Sequence, residues 1–119
     1  MSIEKALAAC FESARENQFF YRVKDDFPAF NGHFPGNPVL PGVCQFGLCA
    51  DALGRWLGKP MEIAAVVRCK FIAPIRPGKQ VVVSLSKRPD GQLSAELKNT
   101  QDGTKFCQLV FSGRVYEKN

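Results

Sequence analysis

The chain has 119 residues, of which 45% are hydrophobic and 23% are charged, and its formal net charge at pH 7 is +5. These values exclude the disordered and fibrous classes, and a chain of this length builds one core, so we expect one domain over residues 1–119. Its lysines and arginines are scattered, which argues against a nucleic-acid partner and leaves a solvated surface or a docking face for an acidic partner.

The first predicted element is an amphipathic helix over residues 3–16, with Ser2 placed to cap its start. Its apolar residues recur at helical spacing at Ile3, Ala6, Leu7, Cys10, Phe11 and Ala14. Charged residues interrupt this stretch, so we expect no signal peptide and a cytoplasmic protein. No apolar run reaches the roughly 18 residues of a membrane span. A short strand, "FFYRV", is predicted next, at 19–23.

Residues 31–42 read "NGHFPGNPVLPG" and contain His33, the only histidine of the chain. Three prolines fix the backbone of this loop, which lowers the entropy that it loses on folding and holds its histidine in one place, and three glycines permit turns. The loop runs directly into the next predicted helix. The first N–H groups of that helix, from Gly42 onward, lack intrahelical partners and can bind an oxyanion.

Residues 43–57 are apolar at almost every position, which predicts a helix buried on most sides. Gly58 suits the cap of this helix, and Pro60 prevents its continuation. After Pro60 apolar and polar residues alternate, as in β-strands, and tight hairpins are predicted at Asp90-Gly91 and Asp102-Gly103. A long central helix with a mostly antiparallel sheet is an α+β architecture.

Five cysteines lie within apolar runs of the sequence, at positions 10, 44, 49, 69 and 107. Their number is odd and none forms a Cys-x-x-Cys pair, so we expect buried free thiols. Closely spaced cysteine and histidine ligands are absent from the sequence, and no metal site is expected.

The stretch "FNGHFPGNPVLPGV" closely resembles the signature of the hot-dog-fold 3-hydroxyacyl-acyl-carrier-protein dehydratases of the FabA/FabZ type. The segment "RCKFIAPIRPGKQV", at 68–81, resembles the strand–Pro–Gly–strand segment of the same family. The resemblance covers residues 19–116. The stretch "NPVLPGVCQFG", with Gln45 after Pro-Gly-Val-x, is most similar to the short branch associated with aryl polyene synthesis. The resemblance implies an antiparallel sheet wrapped around a long buried helix.

The resemblance also implies roles for individual residues. His33 is the expected base that removes the proton α to the thioester carbonyl, and the Gly42 N–H is expected to polarise the thioester oxygen. The expected substrate-binding residues are Phe34, Val39, Pro41, Val43, Phe46 and Gly47, of which Phe34, Val39 and Phe46 are expected to line an apolar tunnel. No cofactor is expected. The implied partner is an acidic acyl carrier protein, and the implied assembly is a homodimer or a higher multiple.

One position departs from the family pattern. The family has a carboxylate on the central helix fourteen residues after the histidine, and this chain has Gly47 there. Asp51 lies one helical turn further on the same face, and either replaces the missing acid or forms an i,i+4 pair with Arg55. A mid-helix glycine costs about 1 kcal/mol relative to alanine, so we expect a partner chain or a bound acyl group to need the room.

Three functions therefore stay open. The first is a dehydratase-like hydro-lyase acting on acyl thioesters in fatty-acid or polyene-type synthesis. The second is a catalytically impaired acyl-binding protein or a partner subunit, forming a heteromer with an active paralogue. The third is an acyl thioesterase, because hot-dog domains also hydrolyse thioesters, and a fold alone does not fix a function.

Overall fold

The structure, a computed structural model, describes residues 2–30, 36 and 38–117. The helices are α1 (Ile3–Ala9) and α2 (Gly42–Leu57), with a single 3₁₀ turn at Pro28–Phe30. The strands are β1 (Phe11–Arg15), β2 (Gln18–Arg22), β3 (Met61–Phe71), β4 (Gln80–Lys87), β5 (Leu93–Asn99) and β6 (Lys105–Val115).

The strands form one antiparallel sheet in the order β1-β2-β4-β5-β6-β3. The long helix α2 packs against this sheet, with its strongest strand contacts to β3 and β4. The α+β architecture with a buried central helix is therefore confirmed. The two predicted hairpins are also present, since Gly91 (φ 86°) lies between β4 and β5 and Gly103 (φ 75°) lies between β5 and β6.

The core lies between α2 and the inner face of the sheet. Leu48, Ala52 and Leu53 of α2 have no exposed surface, and Val83 of β4 and Phe111 of β6 are equally buried. Fully burying a leucine, valine or phenylalanine side chain stabilises the fold by roughly 1.5–3 kcal/mol. The helix ends as predicted, because Gly58 adopts a left-handed conformation (φ 73°) and its N–H donates to the Gly54 carbonyl.

The amphipathic helix predicted over residues 3–16 is wrong beyond Ala9. The Ser2 cap is confirmed, since the Ser2 hydroxyl accepts a hydrogen bond from the Lys5 N–H at 3.2 Å. The chain then leaves the helix and forms β1, which pairs with β2 around a turn at Glu16 (φ 57°). In β1 the backbone pairing with β2 overrides the helical spacing of the sequence. The apolar residues that precede β1, Ala6, Leu7 and Cys10, are buried.

β3 is an edge strand whose residues are mostly exposed. It pairs with β6 along one side and has no strand on its other side within the described ranges. Its alternation is interrupted, because an extra residue at Val67 has no partner between the pairs Val66–Phe111 and Arg68–Val110. Val66 and Val67 consequently lie 41% and 53% exposed, and Phe71 lies 53% exposed.

The prediction for the cysteines is confirmed: all five are free thiols, four of them buried and Cys69 half-buried. Burial raises the pKa of the Cys44 thiol above its ordinary value. In the ranges that the structure describes, no helix is long and apolar enough to cross a membrane.

Candidate active site

The first two N–H groups of α2 have no partner among the described residues. Pro41 is the N-cap residue, with φ −60° and ψ 151°, and its carbonyl accepts hydrogen bonds from the N–H groups of Cys44 and Gln45. The N–H groups of Gly42 and Val43 donate to no described residue. They lie at the positive end of the helix dipole, so they can stabilise a negatively charged oxygen.

The segment that leads into α2 is fixed by the strand connection beside it. The Leu40 N–H donates to the Ile75 carbonyl at 2.8 Å. Leu40 is 3% exposed and Ile75 is fully buried, so both ends of this hydrogen bond are shielded from water. This hydrogen bond therefore fixes the backbone immediately before the first turn of α2.

An aromatic ring lies directly over the first residue of α2. A Cβ built at Gly42 would stand 2.7 Å from Cζ of Phe71, so any other residue here would have to displace this ring. The Phe71 ring also stacks on Phe46 of α2, with ring centroids 5.8 Å apart and planes inclined by 29°. Position 42 is thus glycine for a steric reason in addition to any role of its N–H group.

A cavity of about 510 Å³ opens at this end of α2. Its lining residues are Val39, Leu40, Pro41, Gly42, Gln45, Phe71, Ile72, Ala73 and Pro74. Three of the predicted site residues, Val39, Pro41 and Gly42, meet in this lining. Val43 lies 74% exposed on the same helical turn.

Gln45 lines the candidate site, whereas at the level of sequence it indicates only the branch of the family. Its side chain is 4% exposed, and its Nε2 donates to the Leu40 carbonyl at 3.3 Å. Its Oε1 is buried and accepts no hydrogen bond from any described residue. The signal was available, because a glutamine within an otherwise apolar buried helix needs partners for both of its polar atoms.

The space at Gly47, halfway along α2, is filled from within the chain. A Cβ at this position would overlap Cδ1 of Leu7 on α1, and Leu7 is 2% exposed. We expected a partner chain or an acyl group to need this room, and the structure places Leu7 there instead.

Asp51 lies in a polar cluster between α2 and β2. Its Oδ2 accepts hydrogen bonds from the Tyr21 hydroxyl at 2.6 Å and from Arg55 Nε at 2.7 Å. The i,i+4 pair with Arg55, one of the two roles predicted for Asp51, is therefore present. The Arg55 guanidinium also lies 3.7 Å above the centre of the Phe11 ring. Burial, followed by the hydrogen bond to Asp51, raises the pKa of Tyr21 well above its ordinary value, so this hydroxyl stays protonated.

Comparison with known proteins identifies the family. The sequence model of the ApeI-like family, described as ApeI dehydratase, matches residues 10–110. The chain belongs to the ApeI-like dehydratase family. It is 39% identical to the 3-hydroxyacyl-acyl-carrier-protein dehydratase FabZ of Oenococcus oeni over 66% of this chain. It is 36% identical to the FabZ of Latilactobacillus sakei over 85% of this chain. The matches span 63% and 76% of those two relatives.

The solved structures support the same fold. A chain of the dehydratase heterocomplex ApeI:P of Xenorhabdus doucetiae superposes with a TM-score of 0.70, covering 87% of this chain and 92% of that chain at 20% identity. The hot-dog fold and the FabA/FabZ-type resemblance inferred from the sequence are therefore confirmed.

Two predicted residues of this ApeI-like chain, His33 and Phe34, lie outside the described residues. Their roles stay predictions. What the described residues bring together is one part of the candidate site: the N–H groups of Gly42 and Val43, an apolar cavity and the buried amide of Gln45.

Proposed function

We propose that this chain is a hydro-lyase that removes water from 3-hydroxyacyl thioesters carried by acyl carrier protein, in fatty-acid or polyene-type synthesis. The observation that carries the proposal is the Gly42 N–H at the start of α2, which donates to no described residue and belongs to a residue that lines an apolar cavity, in a chain of the ApeI-like dehydratase family. Removal of an α-proton places negative charge on the thioester oxygen, and a helix N-terminus stabilises charge at that point.

The reaction needs one proton carrier, and we assign that role to His33. Its imidazole takes the proton from C2 while the Gly42 N–H binds the thioester oxygen. The C2–C3 double bond then forms as the C3–O bond breaks, and the imidazolium returns the proton to the departing hydroxyl, which leaves as water. Histidine suits both steps because its unperturbed pKa lies near neutral pH. The elimination requires no cofactor.

The acyl chain is assigned to the apolar cavity beside α2. Val39 and Pro41 contribute to its wall, and Phe71 covers Gly42 from the β3 side. We retain Phe34, Val43 and Phe46 as proposed contacts of the acyl chain or of its entrance, and we drop Gly47 because Leu7 fills the space beside it. Phe46 is supported by its stacking on Phe71.

For Asp51 we favour a structural role over that of a substitute acid. Both of its hydrogen bonds are made by Oδ2 to groups of the fold, the buried Tyr21 hydroxyl and Arg55. Nine residues separate Asp51 from Gly42, which corresponds to about 13 Å along the helix axis. Within one chain this is too far for both groups to act on one thioester, because its reacting atoms are only a few bonds apart.

Two features support the proposed partners: the net charge of the chain and the edge of the sheet at β3. The net charge of +5 favours an acidic carrier protein. The free edge of β3, with Val66 and Val67 exposed, supports a homodimer or a higher multiple in which a second copy extends the sheet. A cytoplasmic location stays part of this proposal.

The packing of Leu7 at Gly47 favours a second function. Because Leu7 fills the space at Gly47, the chain also fits a subunit that binds acyl groups and assembles with an active paralogue. The ApeI:P protein of Xenorhabdus doucetiae is described as a heterocomplex. Co-purification with a candidate partner dehydratase separates the two cases: activity found only in the mixture supports the subunit role.

The direct test of the proposed function is the reverse reaction. The purified chain is mixed with 2-enoyl thioesters of several chain lengths, and loss of the conjugated double bond is followed by absorbance. Hydration supports the hydro-lyase. Release of free thiol, measured in parallel with a thiol reagent, would instead identify a thioesterase.

A further inference from the structure

The buried oxygen of Gln45 needs a hydrogen-bond donor. Gln45 lies on the first turn of α2, is 4% exposed and lines the cavity beside Gly42. Leaving a buried polar atom without a partner costs roughly 1–3 kcal/mol. No described residue donates to its Oε1, so the fold as described maintains an unsatisfied acceptor at the edge of an apolar cavity.

The orientation of this amide is fixed by its neighbour. The Leu40 carbonyl can only accept a hydrogen bond, so the Gln45 nitrogen must face it, as observed at 3.3 Å. Leu40 is itself held by its N–H bond to the Ile75 carbonyl. The oxygen of the amide therefore points away from Leu40 and accepts no hydrogen bond from any described residue.

The position of Gln45 relative to Gly42 suits one particular donor. The two residues are three positions apart, which corresponds to about 4.5 Å along the helix axis. In a 3-hydroxyacyl thioester the carbonyl oxygen and the C3 hydroxyl are separated only by the C1–C2–C3 segment. A thioester whose oxygen binds the Gly42 N–H thus carries its hydroxyl within reach of the next helical turn.

We infer that Oε1 of Gln45 accepts a hydrogen bond from the C3 hydroxyl of the bound thioester, and that Gln45 makes the site select hydroxylated over non-hydroxylated acyl groups. This inference rests on the proposed function, because it assumes an acyl thioester in the cavity. An amide oxygen cannot deliver a proton, so Gln45 orients the leaving hydroxyl while proton transfer is left to another group.

The experiment compares two ligands that differ only in the hydroxyl. Ligand-observed NMR measures binding of 3-hydroxybutyryl-pantetheine and of butyryl-pantetheine to the wild-type chain, and the same spectra show any dehydration. We expect the hydroxylated ligand to bind on the order of tenfold more tightly, since a site with an unpaired buried acceptor rejects the analogue that lacks the donor.

A variant of Gln45 tests the source of this preference. Gln45→Met keeps the length of the side chain and removes the acceptor, so the preference should disappear while butyryl-pantetheine binds at least as well as before. Gln18→Met, an exposed glutamine on β2, is the matched control and should behave as wild type.

Several outcomes would overturn the inference. Equal affinities of the two ligands for wild type contradict it without any variant, and would mean that water or the pantetheine amide occupies Oε1. A preference that persists in Gln45→Met contradicts it as well, and so does failure of wild type to bind either ligand. A hydroxyl preference without dehydration would instead uphold Gln45 and count against the proposed hydro-lyase.

Discussion

Leu7 of α1 occupies the space into which a side chain at Gly47 of α2 would project. This contact lies where the resemblance to FabA/FabZ-type dehydratases places a carboxylate. The N-terminal helix and the glycine are therefore matched to each other, and α1 closes this face of α2. The absence of the carboxylate is built into the packing of the chain, because an acid at position 47 would have to displace a buried leucine.

Gly47→Ala should destabilise the fold although alanine is the better helix former. Alanine gains about 1 kcal/mol in helix propensity. Overpacking against Leu7 costs about 1–3 kcal/mol, so a net loss of about 1 kcal/mol is expected. Urea denaturation of Gly47→Ala, Leu7→Ala and the double variant provides the measurement. In the Leu7→Ala background Gly47→Ala should become stabilising; a stabilising effect in the wild-type background would contradict the contact.

Two substitutions at Gly42 separate the role of its N–H group from the steric effect of an added side chain. Gly42→Ala adds a Cβ that displaces Phe71 but retains the N–H group. Gly42→Pro adds similar bulk, removes the N–H and suits the first position of a helix, and Pro41 (ψ 151°) already has the conformation that a following proline requires.

Turnover of Gly42→Pro should fall below that of Gly42→Ala by about 10²–10³, the usual cost of losing an oxyanion donor. The rate of enoyl thioester hydration measures this difference, and thermal unfolding checks that both variants fold. Equal rates for the two variants would remove the Gly42 N–H from the mechanism.

Asp51→Asn should affect stability more than turnover. The substitution weakens the acceptor of the buried Tyr21 hydroxyl and removes the charge that pairs with Arg55, so the free energy of unfolding should fall by about 1–3 kcal/mol. Tyr21→Phe is the matched variant, and its effect should be non-additive with that of Asp51→Asn. A folded Asp51→Asn chain that has lost its hydration activity would instead establish Asp51 as the substitute acid.

Glu96 should make the fold sensitive to acid. Desolvation opposes its ionisation, but hydrogen bonds from Gln108, Lys98 and Lys105 outweigh this and lower the pKa of Glu96 from 4.5 to about 2. A lowered folded-state pKa contributes stability that is fully present above about pH 4.5 and is lost as the pH falls towards 2.

The free energy of unfolding should therefore decline less steeply between pH 4.5 and 2 in Glu96→Gln than in wild type. Denaturant titrations at several pH values measure the slope. Glu117→Gln, at the exposed end of the chain, is the control and should follow wild type. Parallel curves for Glu96→Gln and wild type would show that the cluster around Glu96 does not couple to folding.

The sequence predicts the fold well wherever local pattern and tertiary partner agree. The end of the buried helix at Gly58 and the hairpins at Gly91 and Gly103 are predicted correctly. Each depends on a glycine with a positive φ, and short sequence patterns indicate such positions. Residues 11–15 show the opposite case. Phe11 fits a helical stripe as well as a strand, and only the presence of β2 decides between them.

The sequence predicts the motif of the candidate site but not the contacts between its side chains. The Pro41-Gly42 start of α2 follows from the sequence, because proline and glycine specify that turn. Two contacts, of Leu7 with the space at Gly47 and of the Tyr21 hydroxyl with Asp51, depend on which elements pack together. No local sequence pattern predicts that packing. Gln45 was visible as a polar residue in an apolar helix, but its unpaired oxygen is a property of the packed structure.

The central claim is that His33 performs acid–base chemistry on an acyl thioester. Hydration of 2-enoyl thioesters by the wild-type chain and by His33→Ala, side by side at several chain lengths, tests it most directly. We predict measurable hydration by wild type and a loss of about 10²-fold or more in His33→Ala, with unchanged thermal unfolding. Equal rates in the two proteins, whether both active or both silent, would contradict it.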